Sequence, residues 1–155
     1  MDKARLRNAI IDKIRTELDN QTRAALLARD EATHEESKPE SKYDTHSQEA
    51  AYLAEGQARI AAELVENISI YQSIPFPDFA PGQPIALGAV FVLETAGRKL
   101  RYFMGPRSGG LEFACDGVDY IVITPQSPLG RQLLGKRAGD TLPAQPGGRK
   151  INQQI

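Results

Sequence analysis

Apolar positions in the first third of the chain recur in alternating steps of three and four. Ala4, Ile11, Ile14, Leu18, Ala25 and Ala28 keep that spacing, with polar gaps at Arg7 and Gln21, and Leu6, Ile10 and Leu26 widen the stripe. No Gly or Pro lies between Lys3 and Asp30, and the Ala, Leu, Arg and Glu that fill the segment are good helix formers. The spacing predicts a helix over Lys3 to about Asp30 that packs along one seam. A second such stripe runs from about Thr45 to Ser73. Ala50, Leu53, Gln57, Ile60, Leu64, Asn67, Tyr71 and Ile74 fit a seven-residue repeat, with Val65 and Ile68 on its flank and Gly56 weakening it. Two such helices joined by a polar segment most simply make an antiparallel hairpin, each arm on the order of 40 Å at 1.5 Å per residue.

Beyond Ile74 the pattern changes. Pro75, Pro77, Pro81 and Pro84 forbid a continuing helix, so residues 75–84 read as a linker. Strand-like runs follow at Ile85–Glu94, Lys99–Met104 and Tyr120–Thr124, with weaker ones near Leu111–Ala114, Thr141–Ala144 and Lys150–Gln154. Turn residues separate them at Ala96-Gly97, Gly105-Pro106, Gly109-Gly110, Asp116-Gly117, Gly139-Asp140 and Pro146-Gly147-Gly148. Ser127 is a good helix N-cap, Pro128 suits a first turn, and Gly135 can close the helix in the left-handed region, with Lys136 and Arg137 suited to its negative end. Leu129, Leu133 and Leu134 would lie on the sheet, with Phe91, Val92, Leu93, Tyr102 and Val122 as further core candidates. The expected fold class is therefore α+β. A helical hairpin (residues 1–74) precedes a small antiparallel sheet domain with one short helix (residues 85–155).

Composition narrows the function classes. The chain has 155 residues, 19 Lys and Arg, 20 Asp and Glu, and a net charge of −1, which argues against a strongly basic nucleic-acid binder. The charge is uneven: Met1–Ile74 carries ten Lys and Arg against fourteen Asp and Glu, and Pro75–Ile155 nine against six. The single cysteine, Cys115, permits no internal disulfide and reads as a small residue in or beside a strand. With no long apolar run and no secretory leader, the expectation is a cytoplasmic protein with no membrane contact.

The residues between the arms, near 30–49, are dense in carboxylates: Asp30, Glu31, Glu35, Glu36, Glu40, Asp44 and Glu49, opposed chiefly by Lys38 and Lys42. Pro39 makes the chain turn here. Solvated loop charge is the ordinary reading of such a run; hard oxygen ligands on a projecting tip would also suit Mg²⁺. His34 and His46 make no zinc motif, since "HEESKPE" lacks the second histidine of H-E-x-x-H. Gly105-Pro106-Arg107-Ser108-Gly109-Gly110 lacks the Lys-Ser/Thr of a phosphate loop and reads as a hairpin turn. No Ser/His/Asp set suggests itself, because both histidines lie between the arms and far from Ser127 in any expected fold.

The stretch "ITPQSPLGRQLLGKRAGDTL", followed by "PGGRKINQQI", resembles the C-terminal signature of the Gre (GreA/GreB) family of bacterial transcription elongation factors. The resemblance implies that residues 85–155 form an FKBP-like domain. It implies docking of that domain on bacterial RNA polymerase at the secondary channel, with Ser127, Pro128, Arg131, Lys136 and Arg137 as docking candidates. The coiled coil would enter the channel. Its tip carboxylates, here Glu35, Glu36, Glu40 and Asp44, would help hold a Mg²⁺ shared with the polymerase, so that backtracked RNA is cleaved by the polymerase's own chemistry. No cofactor would be bound by the factor alone, and nucleic acid would be met only through the elongation complex. The chain departs from the family at the tip. Glu40-Ser-Lys-Tyr-Asp44 stands where cleavage factors carry Asp-x-x-Glu and Asn-Ala-Glu-Tyr, as expected of a non-cleaving or Rnk-like relative. Two other readings stay open. One is a peptidyl-prolyl isomerase using Phe91, Tyr102, Phe103, Phe113 and Tyr120; the other is a coiled-coil adaptor, as a monomer or a dimer.

Overall fold

The computed structural model describes residues 2–36, 44–142 and 149–154. It divides into two compact units, Met1–Ile11 with Ile70–Ile155, and Asp12–Ser69. Both boundaries fall inside the two long helices, α1 (Lys3–Glu36) and α2 (Asp44–Ser73).

Asp2 caps α1, its Oδ1 accepting from the backbone N–H of Ala4 at 2.9 Å. The helix runs 34 residues, longer than the pattern required, because nothing before Pro39 breaks it. α2 ends at Ser73, where Pro75 and Pro77 leave no helical continuation. The buried stripes follow the expected seams in part. On α1 Ile11 and Ile14 are buried as expected, with Leu6 and Ile10 widening the stripe, whereas Ala4 and Leu26 are exposed. Arg7 and Gln21, expected as gaps, are half-buried within the stripe. Along α2 and just past its end the expected positions Gln57, Leu64, Asn67, Tyr71 and Ile74 are buried or half-buried, joined by Ala54, Ala61 and Ile68, while the side chains of Ala50 and Leu53 lie outside the described residues. Ile60 is left exposed. A 3.6-residue helix drifts against a strict seven-residue repeat, and packing rather than spacing chooses the buried edge.

The sheet has six strands in the order β3-β4-β2-β1-β6-β5. They are β1 (Val90–Thr95), β2 (Arg98–Met104), β3 (Glu112–Cys115), β4 (Val118–Ile123), β5 (Thr141–Leu142) and β6 (Arg149–Gln154). Ile85–Ala89, expected within the first strand, forms a turn before it. Four pairings are antiparallel; β2 and β4 run parallel, with Tyr102 beside Ile121 and Met104 beside Ile123, so the sheet is mixed. The β1–β2 and β3–β4 hairpins close on two residues of positive φ, Ala96-Gly97 and Asp116-Gly117, the turn geometry that matches the strand twist. The Gly105–Gly110 loop is not a hairpin turn. β4 lies between β2 and β3, so this loop carries the chain across to the sheet's edge.

A short helix, α3 (Pro128–Leu133), follows β4. One core cluster gathers Ile85, Phe91, Leu93, Met104, Ile123, Leu133, Leu142 and Ile151, with Phe79, Tyr102 and Leu129 packed against it. Leu134 is not in that core. It leaves the helix with ψ 129° and is 39% exposed.

Candidate functional site

Within the sheet-bearing unit, the expected docking residues surround α3. Ser127 Oγ accepts from Gly130 N–H at 3.0 Å and donates to Thr124 carbonyl at 2.8 Å, locking the helix start to the end of β4. Gly130 is required there: a Cβ would meet the Thr124 carbonyl oxygen. Pro128 occupies the first turn and is exposed.

Two tight turns then follow. Leu134 (φ −56°, ψ 129°) and Gly135 (φ 80°) sit between the Leu133 carbonyl and the Lys136 N–H that donates to it at 3.0 Å, the geometry of a type II turn. Gly135 thus does adopt the left-handed region, as the centre of a turn beyond the helix. The Ile85 N–H donates to Lys136 carbonyl at 2.8 Å, and Gly135 N–H to Ile85 carbonyl at 2.9 Å. The second turn spans Arg137–Asp140: Asp140 N–H donates to Arg137 carbonyl at 3.0 Å, and Asp140 Oδ2 accepts from Arg137 N–H at 2.8 Å. Ile151 is bonded on both sides, to Gly139 and Asp140. This pins the turn to β6.

The arrangement projects three exposed cations. Arg131 and Lys136 make no ion pair among the described residues, and Arg137 Nη1 donates to the Gly82 carbonyl at 2.6 Å. The site offers no nucleophile beside a base. What it can do is present fixed positive charge to an acidic surface.

The tip residues are placed less fully. Glu35 and Glu36 end α1 and Asp44 opens α2, while Glu40 lies outside the described residues. No group of three His, Cys, Asp or Glu side chains that can hold a metal occurs among the described residues.

The aromatics considered for an isomerase pocket serve the core instead. Phe91, Phe103, Phe113 and Tyr120 are buried; Phe91 stacks on Tyr102 at 5.9 Å between centroids, and Phe113 on Tyr120 at 5.3 Å. Cys115 ends β3, half-buried, as a residue of that strand. No described helix is long and apolar enough to cross a membrane.

One cluster was not visible in the pattern. Lys3 is buried, with Nζ donating to the Gly88 carbonyl at 2.6 Å and lying 5.3 Å from the centre of the Phe79 ring. Arg7 Nη2 donates to the Ile74 carbonyl at 2.9 Å, and its guanidinium sits 4.7 Å from the Phe76 ring centre. Phe76 stacks on Phe103 at 5.2 Å. These contacts fix the start of α1 and the end of α2 to one another and to the sheet. The signal available was the placement of two cations, Lys3 and Arg7, on an otherwise apolar helix face, next to a linker holding Phe76 and Phe79.

The residues define an α+β protein with two long helices and a mixed sheet, and the sheet-bearing unit carries a basic surface around α3. No protein-family model matches the chain, and no curated protein matches it. Among solved structures it is similar to GreA factor homolog 1 (Gfh1) of Thermus thermophilus, at 19% identity and TM-score 0.34, covering 92% of this chain and 91% of that one. It is similar to Thermus aquaticus Gfh1 at 23% identity and TM-score 0.35, covering 92% of each chain. A further structure, of the transcription factor Gfh1, matches at 20% identity and TM-score 0.34, over 94% of this chain and 91% of that one. At TM-scores this low the likeness does not bear on function.

Proposed function

We propose that this protein is a Gre-type transcription elongation factor that binds bacterial RNA polymerase at its secondary channel. The sheet-bearing unit docks through the surface around α3, and the acidic-tipped hairpin enters the channel to modulate elongation or rescue backtracked complexes. The observation that carries this reading is the stretch Ser127–Asp140. Its resemblance to the Gre signature extends to a capped helix and two ordered turns, with Arg131 and Lys136 left free of ion pairs among the described residues. Glu35, Glu36, Glu40 and Asp44 would lend oxygen ligands to a Mg²⁺ held mainly by the polymerase, and that ion would supply the activation of water.

A second reading is favoured by the tip itself. Pro39 and the absence of Asp-x-x-Glu point to a polymerase-binding regulator that does not stimulate cleavage.

The test is binding to bacterial RNA polymerase core enzyme at low salt, followed by a cleavage assay on stalled elongation complexes. The main reading expects binding, weakened by Arg131→Ala with Lys136→Ala, and cleavage lost in Glu40→Ala with Asp44→Ala. Binding with no cleavage from the unmodified protein selects the second reading. Absence of binding removes both.

A further inference from the structure

The β1–β2 hairpin carries three cross-strand pairs in register on one face: Phe91 with Tyr102, Leu93 with Leu100, and Thr95 with Arg98. The first pair is stacked, and Phe91 and Leu93 belong to the buried core cluster, with Tyr102 packed against it. Leu100 lies outside that cluster and is 42% exposed. The space it opens onto is a trough of about 330 Å³, lined by Leu93, Thr95, Ala96, Arg98, Leu100 and Tyr102.

The trough is apolar at one end and basic at the other. Tyr102 and Arg98 stand four residues apart on β2, about 13 Å of strand. Arg98 is exposed and in no ion pair among the described residues. The hairpin's one carboxylate, Glu94, alternates onto the opposite face, in register with Lys99. Asp119 of β4 alternates onto the trough's own face but does not line it.

A guanidinium with no acid beside it, at the end of an apolar slot, complements an anion that carries an apolar body. A carboxylate suits it best, because the two planar groups can share a pair of parallel hydrogen bonds. The Thr95 hydroxyl, beside Arg98, can donate a third. Size favours a small molecule: ligand sites span roughly 300–1,000 Å³, and this trough is at the low end. An α-helix, about 10 Å across with its side chains, would overfill it.

We propose that this trough binds a small apolar carboxylate, an aryl- or alkyl-carboxylic acid. Arg98 and Thr95 hold its head, and Leu93, Leu100 and Tyr102 receive its body. The site shares no residue with the basic surface around α3 and stands whether or not the chain binds a polymerase.

The test titrates phenylbutyrate into the full chain and follows backbone amide resonances by nuclear magnetic resonance. Shifts should be confined to β1, β2 and their turn. Phenylbutanamide, which keeps the shape and loses the charge, should bind about tenfold or more weakly, and so should phenylbutyrate to Arg98→Gln. Arg98→Glu should reverse the preference, losing phenylbutyrate and gaining phenylbutylamine. Because Arg98 is already exposed, both variants should keep the melting temperature of the unmodified protein. No shift at millimolar phenylbutyrate, equal affinity for acid and amide, or shifts centred on α3 would overturn the proposal. Tighter binding of a peptide ending in phenylalanine than of phenylbutyrate would overturn it in favour of a protein C-terminus.

Discussion

Tyr71 Oη donates to the carbonyl of Arg107 at 2.6 Å, tying the last turn of α2 to the loop that follows β2. Both residues belong to the sheet-bearing unit. The ring is fully buried beside Phe76 and Phe103, at 6.2 and 6.4 Å between centroids. Burial pushes the phenol well above its ordinary pKa.

Gly105 lies directly against that hydroxyl, and a Cβ there would collide with it. Gly105→Ala is therefore expected to destabilise by about 2 kcal/mol or more. Tyr71→Phe, which leaves the Arg107 carbonyl short of one donor, should cost about 1 kcal/mol. Because Phe lacks the colliding oxygen, the double variant should be more stable than the sum of the two losses. Urea unfolding of the four proteins measures this coupling; strict additivity would show that the alanine methyl is accommodated elsewhere.

Gly130 has a different reason for being glycine. Its φ is not positive, but a side chain would strike the Thr124 carbonyl where α3 turns back on β4. Gly130→Ala should lower the melting temperature far more than an alanine at exposed Gln132. The loss should be about 2 kcal/mol or more, from a backbone contact that cannot relax.

Lys3 makes stability depend on pH. Burial holds its amine below the ordinary value of 10.5, with Asp78 opposing. Between that lowered value and 10.5 the unfolded chain binds more protons than the folded one, so stability rises with pH across the window. Lys3→Met keeps the stem and removes the titration. The unmodified protein should therefore gain stability relative to Lys3→Met as pH increases toward 10, measured by urea unfolding. Staying below 10 avoids the opposite contribution of Tyr71, whose raised pKa removes stability as the unfolded phenol ionises. A difference that does not change with pH would mean that the amine is solvated in the folded state.

Gln21 and Gln57 each bury an oxygen without a partner. Replacing either with Leu should stabilise the hairpin unit by about 1 kcal/mol, since a desolvated polar atom is exchanged for apolar surface. The thermal loss of helical circular dichroism reports it. A lowered midpoint would indicate that the glutamines are met by water.

Much of the architecture is readable from local pattern because its causes are local. Helix formers free of Gly and Pro specify α1 and α2, four prolines end the second, Asp116-Gly117 and Ala96-Gly97 specify hairpins, and Ser127-Pro128 specifies the start of α3. Each depends on the backbone preferences of a few neighbouring residues. Even the basic turns after α3 are visible, since Gly135 and Gly139 mark them.

What tertiary structure alone decided depends on partners distant in sequence. The parallel pairing of β2 with β4 turned an apparent hairpin loop into a crossover, because strand order is chosen by burial across the whole sheet. Leu134 looked like core and is exposed, since the type II turn at Gly135 ends the helix one residue too soon. Arg7 looked like a break in an apolar stripe, and Lys3 only like the start of its helix. They tie the start of α1 to the carbonyls of Gly88 and Ile74, 85 and 67 residues away, and periodicity along one helix cannot encode a hydrogen bond to another part of the chain.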